Sequence, residues 1–301
     1  MRIPEKLLYC HTILLILIMT SLTCGYGQSL PEGVKAFKNL EYVPGGHERQ
    51  KLDLYVREGK SPYPLVIWIH GGAFRMGSKD SCPALWLTGE GYAVASLNYR
   101  LSQHAIFPAQ IEDCKAAVRW LRAHAAEYRL DPEHFGAWGA SAGGHLAAML
   151  GVTGGVAEFE KGGNLDQSSR VQAVCDWFGP TDFTLMNKFP GDMDHDAPDS
   201  PESQLIGGPV QENKEKAQRA NPISYVTADD PPFLIMHGDQ DPLVPIHQSE
   251  LLDAALRQAG AAVTFHAVQG AGHGFQEPKL DRMVLEFFDR HLKTIAGEGK
   301  K

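Results

Sequence analysis

Short apolar runs alternate along the chain with longer stretches of helical periodicity. The runs cover 40–43, 51–56, 65–70, 93–98, 135–138, 171–177, 233–236 and 263–268. Helical spacing of apolar residues covers 108–127, 142–150, 248–259 and 278–291. A run such as Phe233-Leu234-Ile235-Met236 is apolar on both faces, as in a parallel strand buried between helices. The alternation predicts an α/β fold: one mostly parallel eight-stranded sheet flanked by helices, with the first strands as an antiparallel edge.

Two segments interrupt the pattern. Residues 158–169 read as an exposed connection. Residues 181–230 form a lid-like insertion whose stretch Asp192 to Pro201 is acidic, proline-rich and aperiodic. A loop this long in a compact domain is a lid, a binding loop or a disordered segment. Its place between the sixth and seventh strands predicts a small cap over the leaving-group side of a site at the C-terminal sheet edge. Excising 190–202 is expected to change substrate preference more than folding. The Asp/His cluster there has no metal-ligand spacing and reads as solvated loop.

Residues 1–27 read as a secretory signal peptide, with Arg2 and Lys6 before an apolar core at 13–19 and small residues at Gly25 and Gly27. Cleavage after Gly27 predicts a secreted or periplasmic protein, residues 28–301 forming one domain. An uncleaved anchor at 7–22, short for a span, and acylation of Cys24 are the alternatives. The whole chain carries a formal charge of −8. An acidic chain without a basic cluster does not suggest nucleic acid or an anionic membrane as partner. Of five cysteines, Cys82, Cys114 and Cys175 follow the signal segment. Cys82 and Cys114 are the candidate pair, and Cys175 reads as a core residue. No Cys/His spacing suggests a metal and no glycine loop suggests a phosphate, so no cofactor is expected.

The most informative motif is Gly139-Ala140-Ser141-Ala142-Gly143, between an apolar run and a small-residue helix. Strand, G-x-S-x-G, helix is the setting of a nucleophile elbow, with Ser141 at the tip of a turn too tight for bulky neighbours. His70-Gly71-Gly72-Ala73-Phe74 follows another strand and suits an oxyanion hole built from the N–H groups of Gly72, Ala73 and Ala142. In His237-Gly238-Asp239-Gln240-Asp241-Pro242, two aspartates compete for the role of triad acid. Asp241 precedes a proline and an apolar return that can fold its carboxylate inward, whereas Asp239 is placed to cap the turn. Of 13 histidines, only His273, in Gly270-Ala271-Gly272-His273-Gly274, has the loop setting of a general base. His70 and His237 are expected to brace loops and His145 to pack in the core. His124, His134, His195, His247 and His291 have no motif around them. Phe74, Trp177 and Phe178 are candidate substrate-pocket residues that compete with a plain core role.

With Gly179-Pro180-Thr181-Asp182, Asn98-Tyr99-Arg100-Leu101 and Phe107-Pro108-Ala109, these motifs resemble the α/β-hydrolase superfamily over about residues 38–295. More narrowly, they resemble the His-Gly-Gly-type esterases: the hormone-sensitive-lipase-like group and bacterial feruloyl and acetylxylan esterases. The resemblance implies the triad Ser141, Asp241 and His273, adds weight to Asp241, and implies carboxylic ester hydrolysis. Ala73 stands where the family often has a third glycine. The short segment before the core favours the feruloyl/acetylxylan side, and with export it suggests acetyl or feruloyl esters of plant cell-wall polysaccharides. The alternatives are a general short-chain carboxylesterase, a prolyl-oligopeptidase-type peptidase, for whose propeller there is no room, and a formamidase, against which export argues. A non-catalytic adhesion protein of this fold would have lost the nucleophile.

Overall fold

Eight strands form one sheet in the order β1-β2-β4-β3-β5-β6-β7-β8 in a computed structural model that describes residues 30–59, 62–189 and 191–293. Residues 1–27, where a signal peptide is expected, lie outside them. The strands are β1 Val34–Glu41, β2 Lys51–Arg57, β3 Tyr63–Ile69, β4 Ala93–Leu97, β5 Leu130–Ala140, β6 Ala173–Trp177, β7 Phe233–Gly238 and β8 Val263–Val268. β2 runs antiparallel to both β1 and β4, and every later pairing is parallel. Helices α1 Ala109–Ala123, α2 Ala125–Tyr128, α3 Ala142–Val152, α4 Pro201–Ile206, α5 Lys214–Arg219, α6 His247–Ala259 and α7 Pro278–Leu292 complete the fold. Among the described residues no helix is long and apolar enough to cross a membrane.

Strand periodicity of two divides the core. Leu65, Ile67 and Ile69 of β3 face α1, α3 and α6. Val66 and Trp68 face the opposite side, where Trp138 of β5, a 3-10 segment at Pro83–Glu90 and Val284 and Phe288 of α7 form a second core. Sequence and structure differ mainly at edges. β1 begins six residues before its apolar run, because exposed Lys35, Lys38 and Glu41 and a register shift between Phe37 and Leu40 interrupt an edge strand that never shows a continuous apolar stretch. The long first helix breaks at His124. Cys82 and Cys114 do not pair: both are free and buried, in the cores on opposite faces of the sheet. A bridge cannot cross that layer. Cys175 is a buried core residue.

Both interruptions are more built than their composition suggests. Glu160, in the 158–169 connection, pairs with the buried Lys115 and Arg119 of α1. Lys115 also donates to the Thr153 carbonyl at 2.7 Å and to Ser169 Oγ at 3.0 Å. The insertion after β6 holds α4 and α5, with 3-10 segments at Phe183–Lys188, Val210–Glu212 and Pro222–Tyr225. Its acidic stretch is not simply solvated, because His195 is buried within it. His195 Nδ1 lies 3.0 Å from Glu202 Oε2 and Nε2 lies 2.9 Å from the Leu243 carbonyl. Both nitrogens face acceptors, so only the imidazolium satisfies both bonds. Ser200 Oγ caps α4 and donates to the His195 carbonyl at 2.8 Å, and the Asp192 N–H donates to the Pro242 carbonyl at 2.7 Å. Excising 190–202 would therefore remove a helix cap, a buried ion pair and an anchor, so it weighs on folding as well as on substrate preference.

Burial alone would lower the His195 pKa, but the Glu202 carboxylate and the Leu243 carbonyl more than offset it, and the value is raised. A raised folded-state pKa gives a contribution that is complete below the unfolded value of about 6.5 and is lost as pH rises through the folded value. The melting temperature of the native protein should fall relative to that of His195→Gln across this window, measured by calorimetry. A difference between the two that is independent of pH counts against a charged His195.

Candidate active site

The turn from β5 to α3 passes its chain too closely for side chains. A Cβ on Gly139 would stand 2.0 Å from the Gly143 carbonyl oxygen, and one on Gly143 would stand 2.0 Å from that of Ile69. Between them Ser141 adopts φ 56°, ψ −124°, a conformation L-residues rarely enter. The Ser141 N–H donates to the Trp177 carbonyl at 2.9 Å, and the Ser141 carbonyl receives the His145 N–H at 3.1 Å. The side chain is thereby set at the C-terminal edge of the sheet.

The loops after β7 and β8 converge on it. Ser141 Oγ lies 2.9 Å from His273 Nε2, and His273 Nδ1 lies 2.7 Å from Asp241 Oδ2. Asp241 Oδ1 accepts the Leu243 and Val244 N–H groups at 2.8 and 2.9 Å. Burial would raise the Asp241 pKa, but hydrogen bonds from His237 and His273 outweigh it and hold the carboxyl well below its ordinary value. An ionised Asp241 only accepts, so His273 carries its proton on Nδ1 and Nε2 is free to accept from Ser141. Asp239 instead accepts the Gly270 N–H at 2.7 Å, tying the two loops together.

His237 braces this turn. Its Nε2 lies 2.8 Å from the Val244 carbonyl and 3.2 Å from Asp241 Oδ2, and its Nδ1 lies 2.7 Å from Ser249 Oγ. Ser249 went unnoticed in the sequence because a single serine on the buried face of α6, in line with Leu252 and Leu256, leaves no local pattern. His145 packs against Phe74 and Phe183 and has one bond, to the Pro180 carbonyl at 2.9 Å. Burial pushes its pKa down to about 4.

The glycine loop after β3 lies against the nucleophile: a Cβ on Gly71 would stand 3.2 Å from Ser141 Cβ. Gly72, Ala73 and Phe74 all take positive φ, and the turn closes with the Arg75 and Met76 N–H groups on the Gly72 carbonyl. Among the described residues, the Gly72, Ala73 and Ala142 N–H groups have no backbone acceptor. The candidate pocket residues take part in packing beside the site. Phe74, Trp177 and Phe178 are all buried. Trp177 donates to Met236 Sδ, and Phe178 supports the His273 ring at 4.7 Å between centroids. Their rings pack in the core and, for Phe178, against the imidazole. Nearer the opening, Met76 and Leu243 are exposed apolar side chains on the two flanking loops.

One group of ligand-type side chains lies apart from this site: His47, Glu48 and His104, with atoms within 4.8 Å of one another. Each imidazole Nδ1 accepts a backbone N–H, from Arg49 and Leu101 respectively. That places the proton on the Nε2 a metal would need, so the arrangement does not fit a cation.

The strand order, the elbow after the fifth strand and the insertion after the sixth define an α/β-hydrolase of the esterase type. The chain belongs to the BD-FAE family, which matches residues 52–256. Esterase LipQ of Mycobacterium tuberculosis is 33% identical over 268 residues, which cover 86% of this chain and 62% of LipQ. The chain spans 47% of its relative LipM and 58% of LipC, both from the same organism. Among solved structures, a truncated carbohydrate esterase from gut microbiota matches with a TM-score of 0.79 and 37% identity, over 86% of this chain and 97% of that one. A bifunctional GH43-CE protein of Bacteroides eggerthii matches with a TM-score of 0.77 and 38% identity, over 85% of this chain and 38% of that one.

Asp241→Asn tests the electrostatic logic. Two backbone N–H groups require an acceptor at Oδ1, so the amide oxygen will take that place and the NH₂ will face His273. Nδ1 must then accept, Nε2 carries the proton, and Ser141 loses its acceptor. Turnover of a nitrophenyl ester should fall by about 10²–10⁴-fold with folding intact. A loss smaller than about tenfold would show that Asp241 does not set the tautomer.

Proposed function

We propose that this protein is a serine carboxylic-ester hydrolase. The observation that carries the reading is the continuous hydrogen-bonded series from Asp241 through His273 to Ser141, with unpaired backbone N–H groups beside it. Ser141 Oγ attacks the ester carbonyl carbon while His273 Nε2 takes its proton, and Asp241 stabilises the imidazolium. The Gly72, Ala73 and Ala142 N–H groups receive the oxyanion. His273 then protonates the alkoxide as the carbon–oxygen bond breaks, leaving an acyl-Ser141 ester. Water, deprotonated by the same imidazole, releases the acid and restores Ser141.

We assign the substrate class as acetyl esters on carbohydrate, the acetylated polysaccharides of plant cell walls among them. The similarity to a carbohydrate esterase favours the alcohol side. The burial of Phe74, Trp177 and Phe178 against neighbouring rings favours a small acyl group over a feruloyl ring. In this reading residues 1–27 direct export, and the insertion borders the leaving-group side, where Arg75 Nη1 of the glycine loop donates to the Asp199 carbonyl at 3.2 Å.

Ser141→Ala should lower kcat by at least about 10⁴-fold without changing the melting temperature. A variant that keeps turnover refutes the nucleophile. With that variant as blank, kcat/KM on acetylated xylo-oligosaccharides should exceed that on methyl ferulate. The reverse order overturns the acyl assignment, and activity on short nitrophenyl esters alone would leave a general carboxylesterase.

A further inference from the structure

Arg49, on the loop between β1 and β2, reaches the glycine loop from outside the motifs that define the site. Its Nε donates to the Tyr99 carbonyl at 2.8 Å, and its Nη2 donates to the Gly77 carbonyl at 2.9 Å. The same Nη2 lies 3.1 Å from His70 Nε2. A guanidinium only donates, so His70 Nε2 must accept and the imidazole proton must sit on Nδ1. That Nδ1 lies 2.7 Å from the Gly71 carbonyl oxygen, to which it therefore donates.

The rest of the enclosure holds the His70 ring in place. Tyr99 stacks on its ring at 4.5 Å and 17°, and the Tyr99 hydroxyl donates to the His70 carbonyl at 3.0 Å. A Cβ on Gly77 would stand 2.5 Å from His70 Nδ1 and 2.4 Å from the Gly71 oxygen, so only glycine lets the chain close over this bond. A peptide unit is planar and trans. Fixing the Gly71 carbonyl therefore fixes the opposite direction of the Gly72 N–H, the first of the three donors assigned to the oxyanion.

We infer that Arg49 is a positioning residue for ester hydrolysis: by dictating the tautomer of His70, it orients the 71–72 peptide and with it an oxyanion donor. The inference rests on the esterase reading above. Arg49 touches neither substrate nor triad. It acts through one proton on one imidazole nitrogen, and that proton can be observed directly.

The test compares Arg49→Met and Arg49→Lys with the native protein, using a short-chain nitrophenyl ester and ¹⁵N NMR of histidine-labelled protein. Methionine keeps much of the apolar stem and removes all donors. Lysine keeps the charge but cannot hold the Tyr99 carbonyl and His70 together, because it lacks the planar fork. In the native protein His70 should show the Nδ1–H tautomer. In Arg49→Met it should lose that single tautomer, and kcat should fall by about tenfold or more with KM within about twofold. This loss is smaller than the about 10²–10³-fold cost of deleting an oxyanion donor. Arg49→Lys should lie between the two.

A purely structural role would lower the melting temperature without splitting kcat from KM. Native kcat in a folded variant that has lost the tautomer overturns the inference, as does an unchanged tautomer. If neither variant folds, an Nε2–H tautomer in the native protein overturns it alone. Turnover surviving in Ser141→Ala would overturn the esterase reading instead, while the NMR result would still judge the link from Arg49 through His70 to Gly71.

Discussion

The backbone of Ser141 is the constraint on which the site depends. A non-glycine residue held at positive φ costs roughly 1–3 kcal/mol and persists only where its surroundings over-determine it. Three strands supply that determination. β5 delivers the residue, β6 takes its N–H through the Trp177 carbonyl, and β3 stands so close that Gly143 touches the Ile69 carbonyl. α3 then runs back over the sheet with its residues buried throughout. The parallel order of these strands places their C-terminal ends side by side, so the glycine loop after β3 and the elbow after β5 meet without any further device.

The acid and base come from loops, which are mobile unless tied. Here the ties are polar. Asp239 holds the β8 loop through the Gly270 N–H, while His237 and Ser249 hold the Asp241 turn from below. The insertion grips the same turn from above, through Asp192 on the Pro242 carbonyl and His195 on that of Leu243. The segment that composition marks as the least ordered thus contributes to the rigidity of the acid-bearing turn. A shift in the insertion would reach Asp241 through two consecutive peptide units, so the insertion and the chemistry are mechanically linked.

What was legible in the sequence depended on local pattern. Apolar runs revealed the central strands, because β3 to β7 are buried on both faces. Glycine spacing revealed the elbow and the loop before it, because close backbone contact excludes Cβ atoms at fixed offsets. Asp241 and His273 were legible as loop residues in chain order. Contacts between distant residues were not legible. Lys115 and Arg119 sit on the buried side of α1 because Glu160, more than 40 residues on, lies against them. His195 had no motif because its partners are a glutamate in the first turn of α4 and a carbonyl 48 residues away. Aromatic residues show only part of their role in sequence: Trp177 ends β6 and Phe178 follows it, and packing sets Phe178 against the His273 ring.

The histidines show how such hidden contacts serve the chemistry. A triad needs one imidazole that exchanges protons with substrate, and any other titrating charge nearby would alter the field it works in. Burial moves His70, His145 and His247 down to about 4, so they stay neutral around it. His195 is moved the other way by Glu202 and keeps its charge to higher pH. His273 differs from all four in position. It is partly exposed, one nitrogen is held by a depressed carboxylate, and the other faces a hydroxyl. The chain thus does not select its base by composition, which supplies 13 histidines. It selects it by position: burial or a partner fixes the protonation of His70, His145, His195 and His247, and His273 is the ring with a nitrogen directed at a serine.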